Sequence, residues 1–478
     1  MKRRAPLLAY LVPLLTLLVR ALWLARFGDD PLEPVDARGY HLLARNLLAG
    51  RGLAMTWDPP YCSTSLRAPL YPLFLAGTYG VFGLEPARAV LAHLLLEAVT
   101  GALVVRLARE VGGGRVALPA GLLYALNGTT QRYVGVLYSE LLLLSLVAAA
   151  LWASVLALRR AAPRPALVAG ALWGLAVLTK PNVQYLAVAV GLLLLARILL
   201  RRSQVERSLL PGATFFLALA LVLAPWLLRN RLLFDRWMIS TAFEENLARV
   251  SAPATLAEVR GVRVIPWTET WEALYGELTV EAVLRFGASV EDESTLSCFE
   301  RERWHREVAS VARELVNEQR RAFLAAHLKG VLRSLLRVGH RTWYLDLTGE
   351  PWEATGILDD VWQRMLESFA VGAVGDAFHA LWLERVIRAP PGPALLWWGL
   401  LLARVLLWWL ALRGLLRLLR RRPYVALLLL GTLAYFILLP GPIAYERFYM
   451  PAIPTTVTLV ACGEIRMNNL CAGRDRGV

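Results

Sequence analysis

Ten apolar runs, most of them near 20 residues long, govern what this chain can become. They fall at about 7–27, 88–107, 116–133, 138–158, 167–179, 183–200, 209–228, 393–412, 424–439 and 448–462. A helix needs about 20 residues to cross the hydrocarbon core of a bilayer. Inside lipid, every backbone N–H and C=O must be satisfied by the chain itself. Runs of this length therefore predict an all-α integral membrane protein with about ten transmembrane helices. Composition agrees, because 57% of the 478 residues are hydrophobic and only 19% are charged. A soluble protein of this size is usually less apolar.

The net charge of +15 could suggest nucleic acid as a partner. Most basic clusters, however, stand directly at the ends of apolar runs, as membrane topology and anionic headgroups require. Nucleic acid is therefore set aside. The first run continues past the length of a signal-peptide core and has no small-x-small cleavage site, so it reads as a retained span. With basic residues at 2–4 placed inside, every short loop assigned to the inside is basic, from 109–115 to the arginine-rich 413–422. Four cysteines with no CxxC pair argue against a zinc ribbon or a thioredoxin-like motif. Cys62 and Cys298 both fall outside on this topology, where a disulfide between them is allowed.

Three regions follow. Residues 1–228 form a transmembrane module with a large outer loop at 28–87, 229–390 an extracytoplasmic segment, and 391–478 the last helices and a short tail. In the outer loop, Tyr40 to Leu48 has apolar residues at helical spacing and ends at Gly50, a helix-stop signal. Residues 70–82 are apolar but short, fitting a surface or re-entrant helix. In the extracytoplasmic segment, 304–338 places Val308, Val311, Leu315, Phe323, His327, Val331 and Leu335 on one face and Arg313, Arg320, Lys329 and Arg333 on another. That pattern fits one amphipathic helix lying on the membrane.

On this topology Asp36, Arg67, Glu140, Lys180 and the pair Glu446-Arg447 all converge on the outer face. Transfer of a sugar from a phospholipid carrier needs both kinds of group present. A carboxylate takes the proton of the acceptor. Cations, or a metal held by carboxylates, stabilise the departing phosphate. Each residue also has a plainer reading. Asp36 could cap the Tyr40 helix, Arg67 could snorkel to headgroups, and Glu140 could complement a helix dipole after Ser139. Lys180-Pro181 could be a solvated helix stop, and Glu446-Arg447 a surface ion pair. His93 and Glu97, inside the second run, are costly in lipid and read as contacts between helices. Asn127-Gly128-Thr129 matches a glycosylation sequon but stands at the end of a span.

Taken in order, the motifs resemble the polytopic glycosyltransferases of the C-type fold, the family of aminoarabinose transferases and protein O-mannosyltransferases. The matching pieces are Asp36-x-x-x-Tyr40 running to Gly50, Arg67-Ala-Pro-Leu-Tyr-Pro72, Tyr138-Ser-Glu140, Leu178-Thr-Lys-Pro181, Pro225-Trp226-x-x-Arg229-Asn230 and Tyr445-Glu-Arg447-Phe-x-x-Pro451. The resemblance implies that Asp36 is the catalytic base or positions the acceptor. It implies that Glu140 is a second acidic site residue, able to hold a divalent metal ion with Asp36, and that Arg67, Lys180 and Arg447 bind the donor phosphate. Tyr40, Tyr71 and Glu446 are expected to touch substrate. Ala37 stands where protein mannosyltransferases have Glu, which argues against protein O-mannosylation.

The expectation is a membrane enzyme, multi-pass in the cytoplasmic membrane with its site outside. It would move a hexose or pentose from a polyprenyl-phosphate carrier to a lipid, glycan or protein, amid membrane lipids. A transporter or flippase of lipid-linked sugars, or a polymer ligase of related fold, are the alternatives.

Overall fold

The computed structural model describes residues 11–28, 30–197, 205–262, 267–286, 298–336, 374–382, 391–443 and 445–464, with the isolated positions 345, 348 and 350. Among these the protein is all-α. The one β contact is an isolated antiparallel bridge between Ala54 and Ser63. The first helices are α1 (Val12–Phe27), α2 (Val35–Leu48), α3 (Leu70–Phe82), α4 (Pro86–Gly112), α5 (Gly114–Ala125), α6 (Gly128–Tyr133), α7 (Glu140–Arg160), α8 (Pro163–Thr179), α9 (Gln184–Ala196) and α10 (Val205–Phe234). Residues 229–390 supply α11 (Ala242–Asn246), α12 (Ala252–Arg260), α13 (Glu269–Phe286), α14 (Cys298–Glu318), α15 (Arg320–Leu336) and α16 (Val374–Trp382). The chain closes with α17 (Pro391–Arg421), α18 (Pro423–Leu438), α19 (Glu446–Tyr449) and α20 (Ile453–Glu464).

Four stretches among the described residues are long and apolar enough to cross a membrane: Pro86–Gly112, Glu140–Arg160, Leu209–Phe234 and Pro391–Arg421. The protein is an integral membrane protein. Four further apolar helices are shorter: Leu70–Phe82, Pro163–Thr179, Pro181–Ala196 and Pro423–Leu438. By length and composition, then, four helices meet the criterion where the sequence pattern suggests ten spans.

The central core is built from α4, α5, α7 to α10, α17, α18 and α20, with α7 buried along most of its length. Lipid supplies no hydrophobic drive for helices to associate, so close backbone approach through small residues matters more. Two glycines show this. A Cβ at Gly414 of α17 would run into the carbonyl of Leu459, and one at Gly463 of α20 into the carbonyl of Leu410. The two helices touch backbone to backbone.

Several expectations need correction. The third run is not one span: α5 stops at Ala125, and α6 is a separate six-residue helix. The amphipathic stretch at 304–338 is two helices, divided at Gln319. Trp304, Val308, Val311 and Ala312 of α14 pack against Leu247, Ala248, Ala252, Leu278 and Ala282. That face is sealed by protein. Cys62 is disulfide-bonded; the side chain of Cys298 lies outside the described residues. Asn127 accepts a bond from the Thr130 amide at 3.2 Å and caps α6, so the sequon has a local structural use.

Candidate active site

The site is set by four interruptions of helical structure. α2 starts after Pro34, whose extended backbone (ψ 144°) turns the chain so that Asp36 lies in the first turn. Pro34, and not Asp36, occupies the cap position. Lys180 ends α8 because Pro181 disfavours a helical residue before it; its backbone is extended at φ −140°, ψ 111°. Glu140 occupies the first turn of α7, where the helix dipole favours a carboxylate. Arg447 lies on the four-residue α19, ahead of the tight turn at Met450–Ala452.

Arg67 is carried by a non-helical loop, and other elements hold that loop in place. Arg229 of α10 donates to the Thr64 carbonyl at 3.0 Å, the Thr241 amide to the Ser65 carbonyl at 3.2 Å, and the Ser240 hydroxyl to the Leu66 carbonyl at 2.6 Å. Asn230 and Trp226 in turn donate to the Met238 and Ile239 carbonyls, at 2.8 and 2.7 Å. The Pro225-Trp226-x-x-Arg229-Asn230 motif thus acts as a clamp on the Arg67 loop.

Five charges from five places in the chain meet here. Arg67 donates to Asp36 Oδ1 at 2.5 Å, and Arg447 Nη1 lies 3.0 Å from Asp36 Oδ2. Lys180 donates to Glu140 Oε1 at 2.6 Å, with Arg447 Nε 3.8 Å from the same oxygen. Arg447 therefore bridges the two carboxylates. The group carries three cations against two anions. One donor is also left over: Arg67 Nε is buried with no hydrogen-bond partner, whereas Arg447 Nη1 sits in its ion pair with Asp36. An unmade hydrogen bond at a buried donor costs about 1–3 kcal/mol. Such donors are conspicuous where nearly every buried polar group is satisfied.

Burial alone would raise the Asp36 carboxyl. Arg67, Arg447 and Lys180 outweigh it and hold the group down at about 2. Burial likewise opposes the charge on Arg447, but Glu140 and Asp36 more than offset that and raise it. Burial raises the Tyr40 phenol, keeping it protonated. Aromatic rings line the cations. Arg447 lies over Tyr138 at 4.5 Å and over Phe448 at 5.1 Å, Lys180 over Phe448 at 5.2 Å, and Arg67 over Tyr40 at 5.2 Å.

Asp36, Arg67, Glu140, Lys180 and Arg447 thus come together, as do their partners Tyr40 and Tyr138. The plainer readings of a capping Asp36 and a solvated Lys180 do not describe this arrangement. Tyr71 stands one ring further back: it is fully buried, edge-on to Tyr40 at 4.8 Å, with its hydroxyl 3.1 Å from His93 Nε2. Glu446 opens α19 beside Arg447. Tyr138 and Phe448 join the site as well; both sit inside the motifs, where sequence alone gives them no role. Arg20 carries a signal of its own in the sequence, a lone arginine in the middle of an apolar run.

The donor set does not fit a divalent metal. Both carboxylates are already engaged by cations, and among the described residues no group of three or more His, Cys, Asp or Glu could hold an ion.

Residues 66–228 match the family described as dolichyl-phosphate-mannose-protein mannosyltransferase. This stretch contains Arg67, Glu140 and Lys180 and covers well under half of the chain. No curated protein matches the sequence. Among solved structures, the apo oligosaccharyltransferase of Archaeoglobus fulgidus is similar at 16% identity and a TM-score of 0.49, over 96% of this chain and 50% of that one. ArnT from Cupriavidus metallidurans bound to undecaprenyl phosphate is similar at 17% identity and 0.39, over 94% and 76%. The arabinosyltransferase EmbB from Mycobacterium smegmatis is similar at 14% and 0.35, over 82% and 40%. The chain thus spans about half the length of the oligosaccharyltransferase it matches.

Proposed function

We propose that this protein is a membrane glycosyltransferase of the C-type fold. It takes a hexosyl or pentosyl group from a polyprenyl-phosphate carrier and gives it to an acceptor at the outer face of the cytoplasmic membrane. The observation that carries this reading is the surplus of positive charge. Arg67, Lys180 and Arg447 outnumber Asp36 and Glu140, and Arg67 Nε is a buried donor without a hydrogen-bond partner. A phosphate oxygen satisfies both needs, and guanidinium matches its geometry. The match of residues 66–228 to a family described by a lipid-phosphate sugar donor supports the same reading.

The chemistry follows from the charges. The acceptor oxygen or nitrogen attacks the anomeric carbon opposite the phosphate and a new bond forms there. The bond from that carbon to the phosphate oxygen breaks, and the phosphate leaves with the electron pair and gains negative charge. Arg67, Lys180 and Arg447 stabilise that charge. The acceptor proton passes to a carboxylate. Asp36 is a weak base while both guanidiniums hold it, since its carboxyl sits at about 2. When phosphate engages Arg67 and Arg447, their hold on Asp36 loosens and its basicity rises toward that of an ordinary carboxylate. Direct displacement inverts the anomeric centre.

A transporter would want its buried charges on a water-filled path. The mid-helix pair Arg20–Glu97 is fully enclosed instead. The test is sugar transfer in reconstituted vesicles from a panel of radiolabelled polyprenyl-phosphate sugars, with membrane extract as acceptor. Wild-type protein is expected to transfer one donor sugar, and folded Asp36→Asn to lose that transfer. Lipid movement across the bilayer without transfer would overturn the enzyme reading in favour of a transporter.

A further inference from the structure

The break in the third apolar run leaves helix-end carbonyls to be satisfied. A helix that stops leaves its last carbonyls without donors, and lipid offers no water to replace them. The Asn127 amide already donates to the Tyr124 carbonyl at 3.0 Å, and one buried side chain supplies further donors. Arg20, in the middle of α1, donates through Nη1 to the Ala125 carbonyl at 2.8 Å and through Nη2 to the Tyr124 carbonyl at 3.1 Å. Nη2 also donates to the Thr130 hydroxyl of α6. Its Nε donates to Glu97 Oε2 at 2.9 Å, and the Tyr124 hydroxyl donates to Glu97 Oε1 at 2.8 Å. Arg20, Glu97 and Thr130 are all fully buried. The guanidinium thus joins the end of α5, the body of α6 and the middle of α4.

The stretch beyond the break is held as well. His93 Nδ1 faces the Val134 carbonyl at 3.2 Å; a carbonyl only accepts, so this nitrogen carries the proton and Nε2 accepts from Tyr71. The Leu137 amide donates to the Pro31 carbonyl at 3.2 Å. The next residues are Tyr138, under Arg447, and Glu140, bonded to Lys180. α6 itself packs against α19, the helix that carries Arg447.

We infer that Arg20, oriented by Glu97, is a positioning residue for the active site: it fixes the break between α5 and α6 and thereby sets how Tyr138 and Glu140 meet Arg447 and Lys180. This rests on the proposed reaction. Arg20 touches no substrate, so its loss acts on the geometry of turnover more than on donor affinity.

The test is the double variant Arg20→Leu/Glu97→Leu, which removes both charges together and leaves no unpaired ion. The expected result is a protein that accumulates and unfolds cooperatively, at a melting temperature lowered by loss of the Arg20 bonds to the Ala125 and Tyr124 carbonyls. Its KM for the polyprenyl-phosphate sugar stays within about threefold, while kcat falls by about tenfold or more, the scale of a small misplacement of reacting groups. A folded double variant with wild-type kcat overturns the inference. A readout independent of turnover accompanies it. Leu137→Cys, fully buried in the present structure, is expected to resist a membrane-impermeant maleimide in the wild-type background and to be labelled in the double variant. Equal protection in both also overturns the inference. Failure of wild-type protein to transfer any sugar would count against the proposed function alone, because the labelling result would stand. Should the double variant not accumulate, Asn127→Ala loosens the cap of α6 without touching a charge. A smaller fall in kcat at constant KM is expected, and an unchanged kcat overturns the inference.

Discussion

Arg20 meets Glu97 at 2.9 Å with both side chains wholly enclosed, whereas Arg67 meets Asp36 at 2.5 Å with side chains 26% and 29% exposed. In the first cluster one cation faces one anion, and the remaining guanidinium donors go to carbonyls and a hydroxyl. In the second, three cations share two anions, and Arg67 Nε has no hydrogen-bond partner. A closed pair fits a scaffold, because its interactions are complete within the protein. The open cluster is less satisfied as it stands and suits a ligand that brings negative charge.

The largest expected effect lies in the open cluster. Arg447→Ala or Arg67→Ala should lower kcat/KM by about 100-fold or more, the scale of losing one preorganised transition-state donor. Arg447→Lys should recover little, because an ammonium cannot span both carboxylates as the planar guanidinium does. Initial rates in vesicles check this; near-wild-type rates in either alanine variant would remove the cation from the mechanism.

The closed pair should respond in stability. Glu97→Leu alone leaves a buried guanidinium unpaired and should cost about 3–5 kcal/mol, with the double replacement far milder. Denaturation in detergent, read as a double-mutant cycle, measures the difference. Additive losses would mean the two residues do not act as a pair.

A subtler contrast appears in pH dependence. The Asp36 carboxyl is held below its ordinary value, at about 2. Its ion-pair contribution is therefore complete above the ordinary carboxylate range and is lost only as pH falls toward 2. The melting-temperature difference between wild type and Asp36→Asn should be constant from pH 5 to 8. A difference that titrates within that window would show that the cations do not hold the carboxylate down.

The smallest effect is expected far from both clusters. Arg260 and Glu277, on α12 and α13, pair at the surface with side chains nearly half exposed. Glu277→Gln should leave the melting temperature unchanged within error.

Much of this was legible in the residues. Periodic apolar runs announce membrane helices, since lipid permits few alternatives. Pro181 announced the end of α8, and Asp36, Arg67, Glu140, Lys180 and Arg447 stood out as charges at the ends of apolar runs. The break at Leu126–Asn127 was less legible, because residues 116–133 hold no stronger stop than Asn127-Gly128, and Pro119 sits well before the break. The division of 304–338 at Gln319 was hidden for a similar reason: helical periodicity continues across it.

The sequence by itself determined which segments are helical and apolar and which charges could not remain in lipid unpartnered, because both follow from local composition and the cost of an unsatisfied polar group. Only the tertiary structure decided the pairings. Arg20 is 77 residues from Glu97 and over a hundred from the carbonyls it caps, and Lys180 is 40 residues from Glu140. Contacts at such separations depend on how helices pack and where they break, and no local pattern encodes that.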